Sequence, residues 1–122
     1  MALHNDIGKY GEELAIELLK SKGYRIAETN WKFSHAEVDI IAWHGEVLVF
    51  VEVKTRTTDF FGQPEEFISN KKMKLLTEAA AVYCEQINHD WEIRFDVISV
   101  LDRKNQQPTL KHIEDAFFLG LG

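Results

Sequence analysis

Two hydrophobic periods run along this 122-residue chain, and the changes between them mark its elements. From Asp6 to Ser21 the apolar residues Ile7, Tyr10, Leu14, Ala15, Ile16, Leu18 and Leu19 gather on one broad arc at about 100° per residue, as in a helix with one face on a core. Asp6 is a suitable N-cap and Gly23 a natural stop. Lys9, Glu13, Glu17 and Lys20 fill the solvent arc, whereas Glu12 falls between Leu19 and Ile16 and so faces protein. A carboxylate turned inward needs a partner, because an unpaired buried charge costs on the order of several kcal/mol.

The period then shortens to that of strands. Tyr24 to Phe33 reads as an extended run, and Glu37 to Trp43 and Val47 to Thr55 are β-branched and aliphatic. His44-Gly45-Glu46 is a tight-turn signal that pairs the last two as a hairpin. With a loop of about four residues, Asp39 lies opposite Glu52, and a shorter loop is expected to slip the pairing by one or two positions; either way the two acids are on neighbouring strands. Gly62-Gln63-Pro64 marks a loop, and Ser69 can cap a second helix reaching about Ile87. In that helix Met73, Leu76, Ala80, Tyr83 and Ile87 form one buried stripe. Ile93 to Leu101 is a further strand, Asn105 to Pro108 a turn, and Thr109 to Ile113 an edge strand. The second helix is long enough to cross over between parallel strands, so the expected fold class is α/β, a mixed sheet with an α-β-β-β-α-β core flanked by helices.

Composition narrows the class. With 45% hydrophobic and 28% charged residues the chain is globular, and its length suits one domain over 1–122. A single cysteine, Cys84, cannot form an internal disulfide. No apolar run approaches the roughly 18–20 residues of a membrane span, and the start lacks the basic and apolar regions of a signal peptide, so a cytoplasmic protein without a membrane partner is expected. Twenty Asp+Glu against 14 Lys+Arg give a net charge of −6, which argues against a broad nucleic-acid-binding surface.

The candidate chemistry lies on the hairpin. Val47 to Val53 does not alternate with polar residues, so the strand is expected to be covered on both faces. Glu52 and Lys54 interrupt it on one face, and Glu37 and Asp39 share a face of the preceding strand. Two readings stand. The charges can form internal ion pairs, Glu52–Lys54 or Asp39–Lys54. Alternatively, Asp39, Glu52 and the inward-turned Glu12 can hold a hard divalent cation, Mg²⁺ or Mn²⁺, with Lys54 beside an activated water. Three acids against one lysine leave a surplus of negative charge, which favours the cation. Elsewhere, Lys71, Lys72 and Lys74 crowd the start of the second helix, where they suit a phosphate or form a solvated face. Asp96 is expected to pair locally, Cys84 to pack, and Trp31, Trp43 and Trp91 to serve core or hairpin packing. The histidines show no metal-ligand spacing and read as surface residues, with His35 alone near the acids.

Asp39 followed after a hairpin by Glu52-Val53-Lys54 resembles the PD-(D/E)xK motif of the restriction-endonuclease-like fold, and Glu12 in a helix ahead of it is similar to the archaeal Holliday-junction resolvase branch. From Gly8 to Phe118 the chain is similar to the YraN-like family of small bacterial proteins. The resemblance is carried by Gly8-Lys9-Tyr10-Gly11-Glu12, Leu14-Ala15, Lys22-Gly23-Tyr24, Asn30-Trp31, Glu37-Val38-Asp39-Ile40-Ile41-Ala42, Val49 to Arg56, Phe61-Gly62 and Arg94-Phe95-Asp96-Val97. Ala36 stands where that family usually has Gly, and Val38 replaces the proline of the motif's name. The resemblance implies a metal-dependent nuclease acting on DNA, branched or damaged DNA included, with Asp39, Glu52 and Glu12 as ligands and Lys54 as the partner of the attacking water. It further implies Glu37 as an additional or supporting acid and, by analogy with the resolvases, a symmetric homodimer. Arg56 extends this reading as a contact to a neighbouring phosphate, or else is a solvent-exposed strand end. The rival function is a nucleic-acid-binding accessory protein that keeps the fold without useful turnover; a third is a structural domain whose acids form internal pairs.

Overall fold

The computed structural model describes residues 4–57 and 69–116. In chain order they form α1 (His4–Ser21), β1 (Arg25–Phe33), β2 (Ala36–His44), β3 (Val47–Arg56), α2 (Asn70–Gln86), β4 (Ile93–Leu101) and β5 (Thr109–Ile113). The five strands make one sheet in the order β1-β2-β3-β4-β5. All neighbours are antiparallel except β3 and β4, which are parallel and joined through α2. The expected mixed α/β sheet and α-β-β-β-α-β order are therefore present, with β5 as the edge strand. No helix among the described residues is long and apolar enough to cross a membrane. The loop expected at Gly62-Gln63-Pro64, and the resemblance at Phe61-Gly62 and Phe118, lie outside the described residues.

The central strands are covered on both sides. On one face Ala15 and Leu19 of α1 pack with Ile40, Ala42, Val49, Val51, Ile98 and Val100. On the other, Leu76, Ala79, Ala80 and Tyr83 of α2 pack with Val38, Ile41, Leu48 and Phe50. This is why β3 reads as a continuous apolar run, and why a charge on it is costly. Ser69 caps α2, its hydroxyl accepting from the Lys72 N–H. Gly23, at φ +87, ends α1 in a conformation that side chains seldom adopt.

Four local expectations change. Helix α1 begins at His4, so Asp6 lies within it and not at its cap. Tyr10 is 42% exposed, outside the buried arc, because α1 approaches β3 through Gly11. A Cβ at Gly11 would overlap the Thr55 hydroxyl, and this tight seat narrows the buried face. Ile87 is the α2 C-cap and is 38% exposed, since the chain leaves the helical stripe there. The hairpin turn is two residues long, Gly45-Glu46, with His44 paired to Val47. The shorter loop does not slip the register as expected, because it loses one residue from each side, so Ile40 faces Val51 and Asp39, one step on, comes opposite Glu52.

Candidate active site

The site grows from an interruption in the sheet. The β2–β3 ladder runs from His44↔Val47 to Ile40↔Val51 and stops there. At the next position the Asp39 side chain, not the β2 backbone, takes the Val53 N–H, at 2.8 Å from Oδ2. The carboxylate thus lies at the fork between two strands. The alternation of faces breaks across it: Val38 belongs to the α2-side core and Ile40, two residues on, to the α1-side core. This revises the expectation that Glu37 and Asp39 share a face in regular alternation. The β1–β2 register also steps over this row, from Thr29↔Ile40 to Trp31↔Val38. That leaves Asn30 beside Asp39, at φ 51, a left-handed conformation that asparagine tolerates better than most residues. Asn30, Asp39 and Glu52 therefore form one row across three strands.

Both helices add charge to this row, from opposite faces. From α1, Glu12 accepts from Asn30 Nδ2 at 2.8 Å, and the same amide donates to Glu37 Oε1 at 3.2 Å. Asn30 thereby ties two acids to the row, a role absent from the sequence reading; a left-handed asparagine inside a strand is the physical signal, and it is not visible in one sequence. From α2, Lys72 Nζ donates to Glu52 Oε1 at 2.6 Å, and Lys54 Nζ lies 3.6 Å from the same oxygen. Glu52 is only 4% exposed, and its other oxygen, Oε2, is buried with no hydrogen-bond partner among the described residues. A cleft of about 610 Å³ opens onto Glu12, Asp39, Glu52, Lys54, Arg56 and Thr57. A second, of about 440 Å³, lies on the α2 side and is lined by His35, Glu37, Asp39, Ser69, Lys71 and Lys72. Asp39 borders both.

Crowded acids change their proton affinities accordingly. Burial, then the charge of Glu52, raises the Asp39 carboxyl to about 7; the Val53 N–H opposes this, Glu12 adds to it, and Lys72 opposes it. Glu12 is also raised, by burial first and then by Glu37 and Glu52 against its bond from Asn30. Lys54 is lowered, mainly by burial, with Lys72 and Arg56 acting in the same direction and Glu52 opposing. Burial pulls Lys72 the same way, but its hydrogen bond and charge pairing with Glu52 outweigh that and leave it raised.

This donor set suits a hard divalent cation by its chemistry: an orphaned buried carboxylate oxygen, a carboxyl group that resists ionisation, and a third acid on the same cleft. The acids are not drawn together at ligand spacing; among the described residues no three Asp, Glu, His or Cys groups form such a cluster. Two lysines neutralise Glu52 instead.

The remaining candidates sort by position. Lys71 lines the α2-side cleft, Lys74 is exposed and lines neither, and Lys72 has turned inward onto a carboxylate. Arg56 lines the larger cleft and also donates to the Thr55 carbonyl at 2.9 Å. His35 is exposed beside Glu37. Trp31 and Trp43 pack against the α2-side core, but Trp91 is 67% exposed, contrary to a packing role, because it lies in the turn before β4.

Asp96 pairs locally as expected, and more completely. Arg94 grips it with two bonds of 2.9 Å, His112 Nε2 donates at 2.7 Å, and the Asp115 N–H donates at 3.1 Å. Burial alone would raise this carboxyl, but those bonds and the Arg94 charge together hold it below the ordinary carboxylate value. His112 is thus not a surface residue. Its side chain is 2% exposed, and Lys22 donates to Nδ1 at 2.8 Å, which leaves the Nε2 proton for Asp96. The cue lay in the β4–β5 pairing, which brings His112 opposite Ile98, two residues from Asp96. Cys84 packs against the α2-side core, where burial raises its thiol.

Comparison with known proteins gives a consistent result. The sequence pattern of the uncharacterised protein family UPF0102 matches residues 11–100. A UPF0102 protein of Flavobacterium psychrophilum is 48% identical over 118 residues, which cover 97% of this chain and 98% of the relative. One from Christiangramia forsetii is 48% identical over 119 residues, with the same coverage. A more distant relative from Thermodesulfovibrio yellowstonii is 42% identical over 113 residues, 93% of this chain and 96% of its own.

Proposed function

The chain belongs to the UPF0102 family, and from its site we propose that it is a metal-dependent nuclease hydrolysing phosphodiester bonds in DNA, branched or damaged DNA included. The observation that carries this reading is the row of Asp39 and Glu52 on one cleft with Glu12 and Lys54. Asp39 and Glu52 would hold a Mg²⁺ or Mn²⁺ ion, with Glu12 as a further ligand or a water-positioning group. Such an ion lowers the pKa of a bound water and stabilises charge on a phosphoryl group.

The protein's own groups supply the rest. Asp39, held in place by the Val53 N–H on Oδ2, lines the cleft as an acid of fixed position. Lys54, half-buried on the wall, orients the attacking water or meets the negative charge that builds on the phosphate. Asn30 fixes the angle at which Glu12 enters. Arg56 lines the same cleft, where a guanidinium can take a neighbouring phosphate.

A second reading has its own observation. Glu52 already carries two ammonium partners, which favours a nucleic-acid-binding accessory protein that keeps the fold without turnover. Cleavage assays with Mg²⁺ or Mn²⁺ on linear, nicked, flap and four-way DNA decide between them. The nuclease reading expects cleavage that disappears in Asp39→Asn and Lys54→Ala. DNA binding without cleavage selects the accessory reading, and cleavage that survives in Lys54→Ala does not come from this site.

A further inference from the structure

Lys72 is the least settled member of the site, and its placement has a specific chemical meaning. Glu52 Oε1 receives two ammonium groups, Lys72 at 2.6 Å and Lys54 at 3.6 Å, while Oε2 receives none among the described residues. The two lysines differ in freedom. The Lys54 side chain is 16% exposed and is held on β3, whereas that of Lys72 is 39% exposed and reaches in from α2. A long side chain with an exposed stem can return its charge to water by rotation. An ammonium in the first turn of a helix also opposes the helix dipole, so α2 itself gives no reason for one there.

Resting on the nuclease reading, we propose that Lys72 is a displaceable stand-in for the divalent cation. It neutralises Glu52 in the metal-free protein, leaves when the ion binds, and is then directed into the α2-side cleft that it already lines with Ser69 and Lys71. An ammonium at 2.6 Å and a divalent ion on the same buried carboxylate repel each other at close range, so ion binding at Glu52 favours the exchange. Once released, the ammonium stands beside the Ser69-capped start of α2, where a phosphate of the bound strand would meet it. Ion and nucleic acid therefore favour each other, because the ion frees the group that the phosphate needs.

The exchange is testable without measuring cleavage. Calorimetric titration of Mn²⁺ into the wild type, Lys72→Gln and, as a control for general surface charge, Lys20→Gln should give about tenfold tighter binding in Lys72→Gln alone. In parallel, acetylation of Lys72 in the intact wild-type protein, followed by mass spectrometry, should rise several-fold on adding Mg²⁺, and should not rise in Asp39→Asn. Unchanged or weaker Mn²⁺ binding in Lys72→Gln, or Lys72 labelling indifferent to saturating Mg²⁺, overturns the stand-in role and leaves the metal site itself intact. Absence of Mn²⁺ binding in both wild type and Lys72→Gln overturns the metal reading as well. The comparison of wild-type labelling with and without Mg²⁺ uses native protein, so poor folding of a variant does not blunt that part of the test.

Discussion

Asp39 and Asp96 are both aspartates set into the sheet, on β2 and β4, yet their surroundings are opposite. Asp96 is met by a two-pronged arginine, a histidine and a backbone N–H, so each of its oxygens has partners. Asp39 has one backbone N–H and is faced by Glu52 and Glu12. The first is held ionised below the ordinary range; the second is driven up to about 7. A buried charge that serves the fold is surrounded until it is satisfied. One left short of partners and open to a cleft is a candidate for a group that binds something from outside the fold.

The largest contrast should appear on removing partners. Arg94→Met strips the main counter-charge from Asp96 and is expected to cost about 3–5 kcal/mol in urea unfolding. Asp39→Asn, measured without divalent ions, should cost nothing or stabilise, because it removes a repelled charge. Equal losses in the two variants would erase the distinction.

The pH dependence should differ in sign. Asp39 has a raised value in the folded state, so as pH climbs from about 4 through about 7 the unfolded chain releases a proton that the fold retains. Stability is therefore lost across that window, by on the order of a few kcal/mol, and Asp39→Asn should flatten the loss. Asp96 has a depressed value, so its contribution is complete above the ordinary carboxylate range and disappears as pH falls through its folded value. Denaturation midpoints from pH 3 to 8 would show both limbs. A wild-type curve that rises between pH 5 and 7 as Asp39 ionises would contradict this assignment.

Ligand response comes next. Mg²⁺ or Mn²⁺ at about a hundred times its dissociation constant should stabilise the wild type by about 2.7 kcal/mol, and Asp39→Asn not at all. An Asp96→Asn protein, though weaker, should keep the full increment.

The smallest effect concerns how α1 delivers Glu12. Gly11→Ala presses a methyl group onto Thr55 and should cost about 1–2 kcal/mol net. Gly8→Ala on the same helix meets nothing within 4 Å and should gain about 0.5–1 kcal/mol. Thermal unfolding of the pair measures the difference directly.

Much of this was legible in the residues. Strand β4 runs from Ile93 to Leu101, β5 from Thr109 to Ile113, and Ser69 caps α2, because hydrophobic period and capping chemistry are local properties. Glu12 was separable from Glu13 by helical phase alone, and the structure leaves Glu13 exposed while Glu12 reaches Asn30. The rest depends on contacts between distant segments. Neither the left-handed turn of Asn30 nor the inward reach of Lys72 leaves a trace in its own neighbourhood. Lysines at the start of a helix suggest an anion; only the β3–α2 packing shows that the anion met here is the protein's own Glu52. His112 read as a surface residue for the same reason, since what buries it is a strand and a helix end far away in the chain.

The fork at Asp39 has a consequence for how this protein can change. One carboxylate both ends the β2–β3 ladder and lines the cleft, so it works as a hinge pin whatever the cleft binds. Asparagine keeps an acceptor for the Val53 N–H and takes only the charge away; alanine removes the pin, and the two strands must find a new way to part. Any relative that keeps this fork would therefore be expected to keep an Asp- or Asn-shaped side chain at this position, with or without activity.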